Sequence, residues 1–247
     1  MAEFDRQYAT AARGRAGAGV ETIDQGLRAF MLGIYNNMAI GLAVTGVVAY
    51  GAFSWAVSNP AVANALYVSP LKWVIMLAPL AFVFGLSAMV NRMQPATARL
   101  VFIAFAAVMG LSMSSIFLVF TGQSIAQTFF VTAASFGALS LWGYTTKRDI
   151  SGWGSFLFMG LIGIILAMIV NIFLGSTALQ FAISTIGVLI FAGLTAYDTQ
   201  RLKHTYDIVA GDTLAAGRAS IIGALQLYLD FINLFMFLLQ FMGQNRN

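Results

Sequence analysis

The chain has 247 residues, of which 60% are hydrophobic and only 9% are Asp, Glu, Lys or Arg. A water-soluble domain carries about 25% charged residues because its surface faces water, so a chain this poor in charge cannot cover a soluble globule. Without a cysteine and with a single histidine, His204, it has no disulfide framework, no thiolate metal site and no Cys nucleophile.

The first 29 residues mix Arg6, Arg13 and Arg15 with Glu3, Asp5, Glu21 and Asp24 and lack the apolar core of a secretory signal. They read as a cytoplasmic tail, loosened by the Gly/Ala-rich stretch 13–19. A membrane domain over 30–243 follows. A hydrocarbon layer of about 30 Å needs about 20 apolar helical residues. Seven windows meet that length: 30–57, 71–90, 100–120, 125–145, 153–174, 179–199 and 220–242. Asn59-Pro60 and Ser69-Pro70 bracket the first loop, and residues 91–95 form the second. Short turns sit at Thr121-Gly122-Gln123 and Gly175-Ser176. Residues 146–152 carry Lys147, Arg148 and Asp149, and 200–219 reads as the longest and most polar loop. The fold class is therefore an all-α integral membrane bundle of seven transmembrane helices. Spans one to three and four to six run in opposite senses, which permits an inverted-repeat scaffold.

With the amino terminus inside, eleven of the thirteen Lys and Arg residues lie on the inner side, leaving Lys72 and Arg246 outside. This positive-inside bias favours seven spans and a cytoplasmic amino terminus. The last segment is the most polar of the seven, so a re-entrant hairpin stays open there. Pro79 falls in mid-span, where a bend is tolerated because neighbouring groups re-satisfy the freed carbonyl. Gly160, Gly163, Gly187 and Gly193 read as close helix packing and not as a phosphate cradle. The net charge of +4 follows from the loop bias, and no nucleic-acid surface is indicated.

Seven of the nine acidic residues fall in the tail or in inner loops; Asp198 and Asp230 fall within spans. An ionised acid at a helix centre costs about 2.5–3.5 kcal/mol on insertion scales, so it needs partners or a water-lined interior. Asp198 ends the sixth span and could pair with Arg201, three residues on. Gln226, Asp230, Asn233 and Gln240 recur at helical spacing on one face of the seventh span, a polar stripe that calls for a helix surrounded by others. A protonated Asp230 serving as hydrogen-bonding glue is the plainer reading; a stripe lining a polar path is the functional one. If the two acids meet, they cannot both ionise freely and tend to share a proton, and once ionised they offer hard oxygens suited to Ca²⁺.

Ala196-Tyr197-Asp198-Thr199-Gln200 together with Leu227-Tyr228-Leu229-Asp230-Phe231-Ile232-Asn233-Leu234-Phe235 resembles the Bax inhibitor-1 family. Asp24-Gln25-Gly26-Leu27-Arg28, Gly110-Leu111-Ser112, Ser115-Ile116-Phe117 and Thr145-Thr146-Lys147-Arg148-Asp149 resemble its bacterial branch. The resemblance implies a seven-helix fold with the last helix central and a pH-sensitive calcium leak governed by an aspartate pair, here Asp198 and Asp230. It also implies an arginine latch near the second helix, for which Arg92 is the matching candidate, and a bacterial inner-membrane location. On this reading Tyr197, Arg201, Gln226 and Asn233 support or line the path. Ca²⁺ is the permeant ion, H⁺ the second ligand, and no cofactor is permanently bound. Loop 204–218 looks longer than in compact bacterial relatives.

Two further readings compete. Paired acids on consecutive helices also suit an intramembrane aspartyl protease, but Leu227-Tyr228-Leu229 stands where such enzymes have Gly-x-Gly, so no enzyme is expected. The third is a membrane regulator that binds a protease or a survival factor through the tail and the last loop.

Overall fold

In a computed structural model the backbone of residues 2–246 is described, the side chains of residues 2–24 and of Asn91 excepted. The long helices are α1 (Ala2–Ser58), α3 (Leu71–Met89), α4 (Pro95–Met113), α6 (Gly122–Thr145), α7 (Trp153–Leu174), α8 (Thr177–Val209) and α9 (Thr213–Met242). Two short helices, α2 (Pro60–Ala63) and α5 (Ile116–Val119), complete the α elements. Seven segments are long and apolar enough to cross a membrane, the first being Gln25–Ser58 and the third Pro95–Val119. The protein is thus an all-α integral membrane bundle. The side chains of the tail expected over 1–29 lie mostly outside the described residues.

Local chemistry sets the helix ends. Asn59 accepts from the N–H groups of Ala61 and Val62 at the start of α2, where Pro60 occupies the first turn. The Thr121 and Ser176 hydroxyls cap α6 and α8, and Gly175 closes α7 in the left-handed conformation at φ 60°. Ser114 and Ser115 interrupt the third span between α4 and α5. α3 runs through Pro79.

Two expectations need correction. The polar segment 200–219 is not a loop: α8 continues to Val209, and α9 starts at Thr213 after a three-residue turn. Asp212 caps that start, accepting from the N–H groups of Leu214 at 2.8 Å and Ala215 at 3.0 Å. Leu202, Tyr206 and Val209 explain the extension, because they keep helical spacing and pack against the core beyond the apolar window. Nor does the last segment turn back on itself. α9 is one helix of 30 residues, about 45 Å long.

α9 occupies the middle. In its apolar window 67% of residues are buried, against 11% in α3 and α7. It packs against α1, α4, α6 and α8. In the first triplet of spans α4 packs on both α1 and α3; in the second, α8 packs on both α6 and α7. The two triplets share one contact scheme, as an inverted repeat requires. The outer faces are apolar throughout, for example Phe156, Met159, Ile172 and Phe173 on α7, as lipid contact demands.

Close approaches use the small residues. A Cβ on Gly187 would strike the Phe237 ring, one on Gly160 would strike Ile190 and one on Gly193 would strike Leu157; Gly163 faces open space. Gly110 is tighter, since its added Cβ would lie 2.5 Å from the Thr45 carbonyl oxygen, a backbone atom that cannot swing aside. Gly110→Ala is expected to push α4 off α1 and destabilise the protein by about 1–3 kcal/mol, the usual cost of overpacking. Thermal unfolding in detergent, wild type beside variant, measures this, with Gly163→Ala as the neutral control.

Candidate functional site

The α8–α9 hairpin brings the two intramembrane acids together. Asp198 and Asp230 are each 5% exposed, and their carboxyl groups lie within hydrogen-bonding reach of one another. α8 and α9 leave the three-residue turn antiparallel and pack on one another, which sets Asp198, 11 residues before the end of α8, beside Asp230, 17 residues after the start of α9. Asp230 Oδ2 has no hydrogen-bond partner among the described residues. A hydrogen bond between two carboxyl groups needs one proton, and two carboxyls this close do not ionise independently.

The surroundings are specific. The Gln226 side chain, one turn before Asp230 on α9, lies beside the Asp198 carboxyl. Arg201 acts on Asp198 through its charge but forms no ion pair with it; among the described residues the only ion pair within 4.0 Å joins His204 to Asp207. Arg92 is exposed in the short turn after α3, and no hydrogen bond or ion pair among the described residues joins it to either acid. A residue at the end of a helix can face any direction, and the Arg92 side chain is exposed. The guanidinium whose charge reaches the pair is instead that of Arg201, which shares a cavity with Arg218. Both line a cavity of about 460 Å³ between α3, α8 and α9, and Gln226 lies in the same lining. Arg218 Nε donates to the Met93 carbonyl at 2.8 Å, tying α9 to the α3–α4 turn.

The rest of the stripe divides. The Asn233 side chain donates to the Leu229 carbonyl of its own helix at 2.8 Å. Gln240, at the far end, accepts from Gln180 Nε2 at 2.7 Å, and Gln180 accepts from Asn171 at 3.1 Å. Between these polar ends the Phe191 and Phe237 rings stack at 5.6 Å, with Gly187 giving Phe237 its room. Tyr197 sits on another face, its hydroxyl against Gly154 on α7.

Two buried polar chains escaped the reading of the sequence. Tyr228 OH meets Thr45 Oγ1 at 2.7 Å, and that hydroxyl also lies 2.9 Å from the Ala106 carbonyl, joining α9, α1 and α4. Tyr35, Ser140 and Thr199 form a hydroxyl chain of 2.6 and 2.9 Å across α1, α6 and α8. Tyr228 lies inside the quoted motif two residues before Asp230, which is a usable signal; single Ser and Thr residues in spans are too common to stand out.

Asp149, in the water-side turn between α6 and α7, is exposed. The Ser151 hydroxyl and N–H on its carboxylate, with a smaller effect of His204, hold it below the usual carboxylate range. Among the described residues no group of three or more His, Cys, Asp or Glu side chains is placed to hold a metal ion.

Comparison with known proteins agrees with the motif resemblance. The family model described as "Inhibitor of apoptosis-promoting Bax1" matches residues 27–247. An uncharacterised protein of Caulobacter vibrioides is 48% identical over 255 residues, covering 100% of both chains. The Escherichia coli K12 protein named "Inner membrane protein YbhL" is 48% identical over 223 residues, 90% of this chain and 94% of that one. A Rickettsia prowazekii protein is 43% identical over 227 residues, 92% and 94% of the two chains. With matches of this length and identity, the chain belongs to the Bax inhibitor-1 family.

Proposed function

We propose that the protein is a pH-sensitive cation leak of a bacterial inner membrane, with Ca²⁺ as the permeant ion and the Asp198–Asp230 pair as its proton-responsive element. The observation that carries this reading is the pair itself: two adjacent carboxyls, each 5% exposed, one oxygen of Asp230 unpartnered among the described residues, one turn from Gln226 in the wall of the cavity between α3, α8 and α9. A shared proton satisfies the pair when the path is empty. Loss of that proton leaves two hard anionic oxygens beside the Gln226 amide, a ligand set suited to a passing divalent cation. A resident Ca²⁺ site takes six to eight oxygens, so so small a set serves transit and not storage. The E. coli relative's name supports the inner-membrane location, and the distribution of Lys and Arg supports an amino terminus in the cytoplasm.

On this reading the path runs from the Arg201–Arg218 cavity past Gln226 and the acid pair, then meets the Phe191–Phe237 stack. The two arginines at its mouth oppose cation entry and hold conduction to a leak. The stacked rings are the dry barrier that closes the far half.

Ca²⁺ flux into liposomes between pH 6 and 8 tests the proposal. Wild-type flux is expected to vary with pH, and Asp198→Asn/Asp230→Asn to give a flat, low profile; unaltered flux and pH dependence in that variant would refute the assignment. Asp149 provides a signed control. Its folded-state pKa is depressed, so whatever it contributes is present above its unfolded value of about 3.9 and is lost only as pH falls through the still lower folded value. It stays ionised across pH 6–8, and Asp149→Asn is expected to leave the pH profile unchanged. Phe237→Ala opens the barrier and is expected to raise flux several-fold in the same assay. Absence of flux in every protein would turn attention to a partner-binding regulator.

A further inference from the structure

A second hollow, of about 800 Å³, opens at the water-side end between the α6–α7 turn and α8, apart from the acid pair. Lys147 and Arg148 reach it from the turn, and Arg201, Lys203 and His204 from α8. A positive-inside bias explains cations at this end of the protein. It does not require cations from two separate segments to converge on one concavity whose wall is pinned.

The pinning is specific. Gln200 is 6% exposed; its Oε1 accepts from the Ile150 N–H at 3.0 Å, and its Nε2 donates to the Arg148 carbonyl at 2.8 Å. One buried side chain thereby clamps the turn onto α8 from both directions. Lys203 Nζ donates to the Tyr144 carbonyl at 3.1 Å and lies over the Tyr144 ring, which fixes a second edge. Asp149 is the one acid in the lining, and both the N–H and the hydroxyl of Ser151 hold its Oδ1 within the turn, at 2.9 and 2.5 Å. Among the described residues no acid lies within ion-pair distance of Lys147, Arg148, Arg201 or Lys203.

Four cations around one hollow, Lys203 held in place and Lys147, Arg148 and Arg201 exposed, repel each other, and a multivalent oxyanion offsets that repulsion while using both guanidiniums as paired donors. Hydroxyls of Thr146 and Tyr197 in the same lining add neutral donors. We propose that this hollow binds a phosphate-bearing anion. The volume exceeds that of inorganic phosphate and accommodates an organophosphate or a lipid headgroup. A lipid would find a place for its chains next door, in an apolar groove of about 510 Å³ between α1 and α6 whose lining includes Tyr144.

Full-length protein in phosphatidylcholine nanodiscs, titrated with inorganic pyrophosphate at constant ionic strength, tests this by calorimetry and thermal unfolding. Saturable binding with a rise in Tm is expected, weakened at least tenfold by Lys147→Gln/Arg148→Gln and retained by Asp149→Asn. Should the double variant fail to fold, Arg148→Gln alone, at an exposed side chain, gives the same comparison. A parallel set in phosphatidylglycerol nanodiscs separates the sources. If the ligand is a lipid headgroup, these discs raise the wild-type Tm, fail to raise that of the double variant and block pyrophosphate. If it is a free phosphate compound, pyrophosphate binds equally in both lipids. No Tm gain from either anion, or equal gains in wild type and double variant, overturns the proposal.

Discussion

Everything in this protein is arranged around a helix that has no lipid face of its own. α9 is enclosed by α1, α4, α6 and α8, so the polar groups it carries find partners in neighbouring helices or, like Asn233, on its own backbone. Within a membrane, lipid tails are as apolar as leucine, and close packing and interhelical hydrogen bonds hold helices together. α9 supplies such bonds at two heights: Tyr228 to Thr45 near mid-helix, two residues from Gln226, and Gln240 to Gln180 near its end. The Tyr228 ring is also wedged edge-on against Phe102 and Phe105, so that height is fixed by shape as well as by polarity.

The two triplets around α9 follow one contact scheme, but α9 has no counterpart. That asymmetry gives the protein a direction. One end of the central interface holds paired acids and an Arg-lined cavity, the other a neutral amide cluster, and stacked aromatic rings separate them. An isolated carboxylate in this interior would be costly. Two adjacent carboxyls that share a proton would carry less net charge than two carboxylates, and α9, enclosed by other helices, carries an acid that a lipid-facing helix would exclude.

Much of this could be read from the residues, and the failures have physical causes. Scarcity of charge forces a membrane fold, and nine acids in 247 residues leave Asp198 and Asp230 conspicuous. Segment 200–219 was misleading because polarity marks where a helix leaves the hydrocarbon and not where it stops. Leu202, Tyr206 and Val209, spaced by four and three, carried the correct signal. Arg92 shows a different limit: position in a chain locates a residue at a helix end but does not say which way its side chain points. The Tyr35–Ser140–Thr199 chain depends on three helices meeting, and no local pattern records that.

Helix lengths have a mechanical consequence. α3 has 19 residues and α8 has 33, about 28 Å and 50 Å of rise, while a bilayer core measures about 30 Å. The long helix projects beyond the hydrocarbon with little penalty, whereas the short one has no slack. A thicker bilayer therefore bears first on α3, which can answer only by straightening, sliding or thinning the lipid around it. Because α3 packs chiefly on α4 and its Ser87 forms part of the wall of the Arg-lined cavity, the width of that cavity is mechanically tied to the thickness of the surrounding membrane.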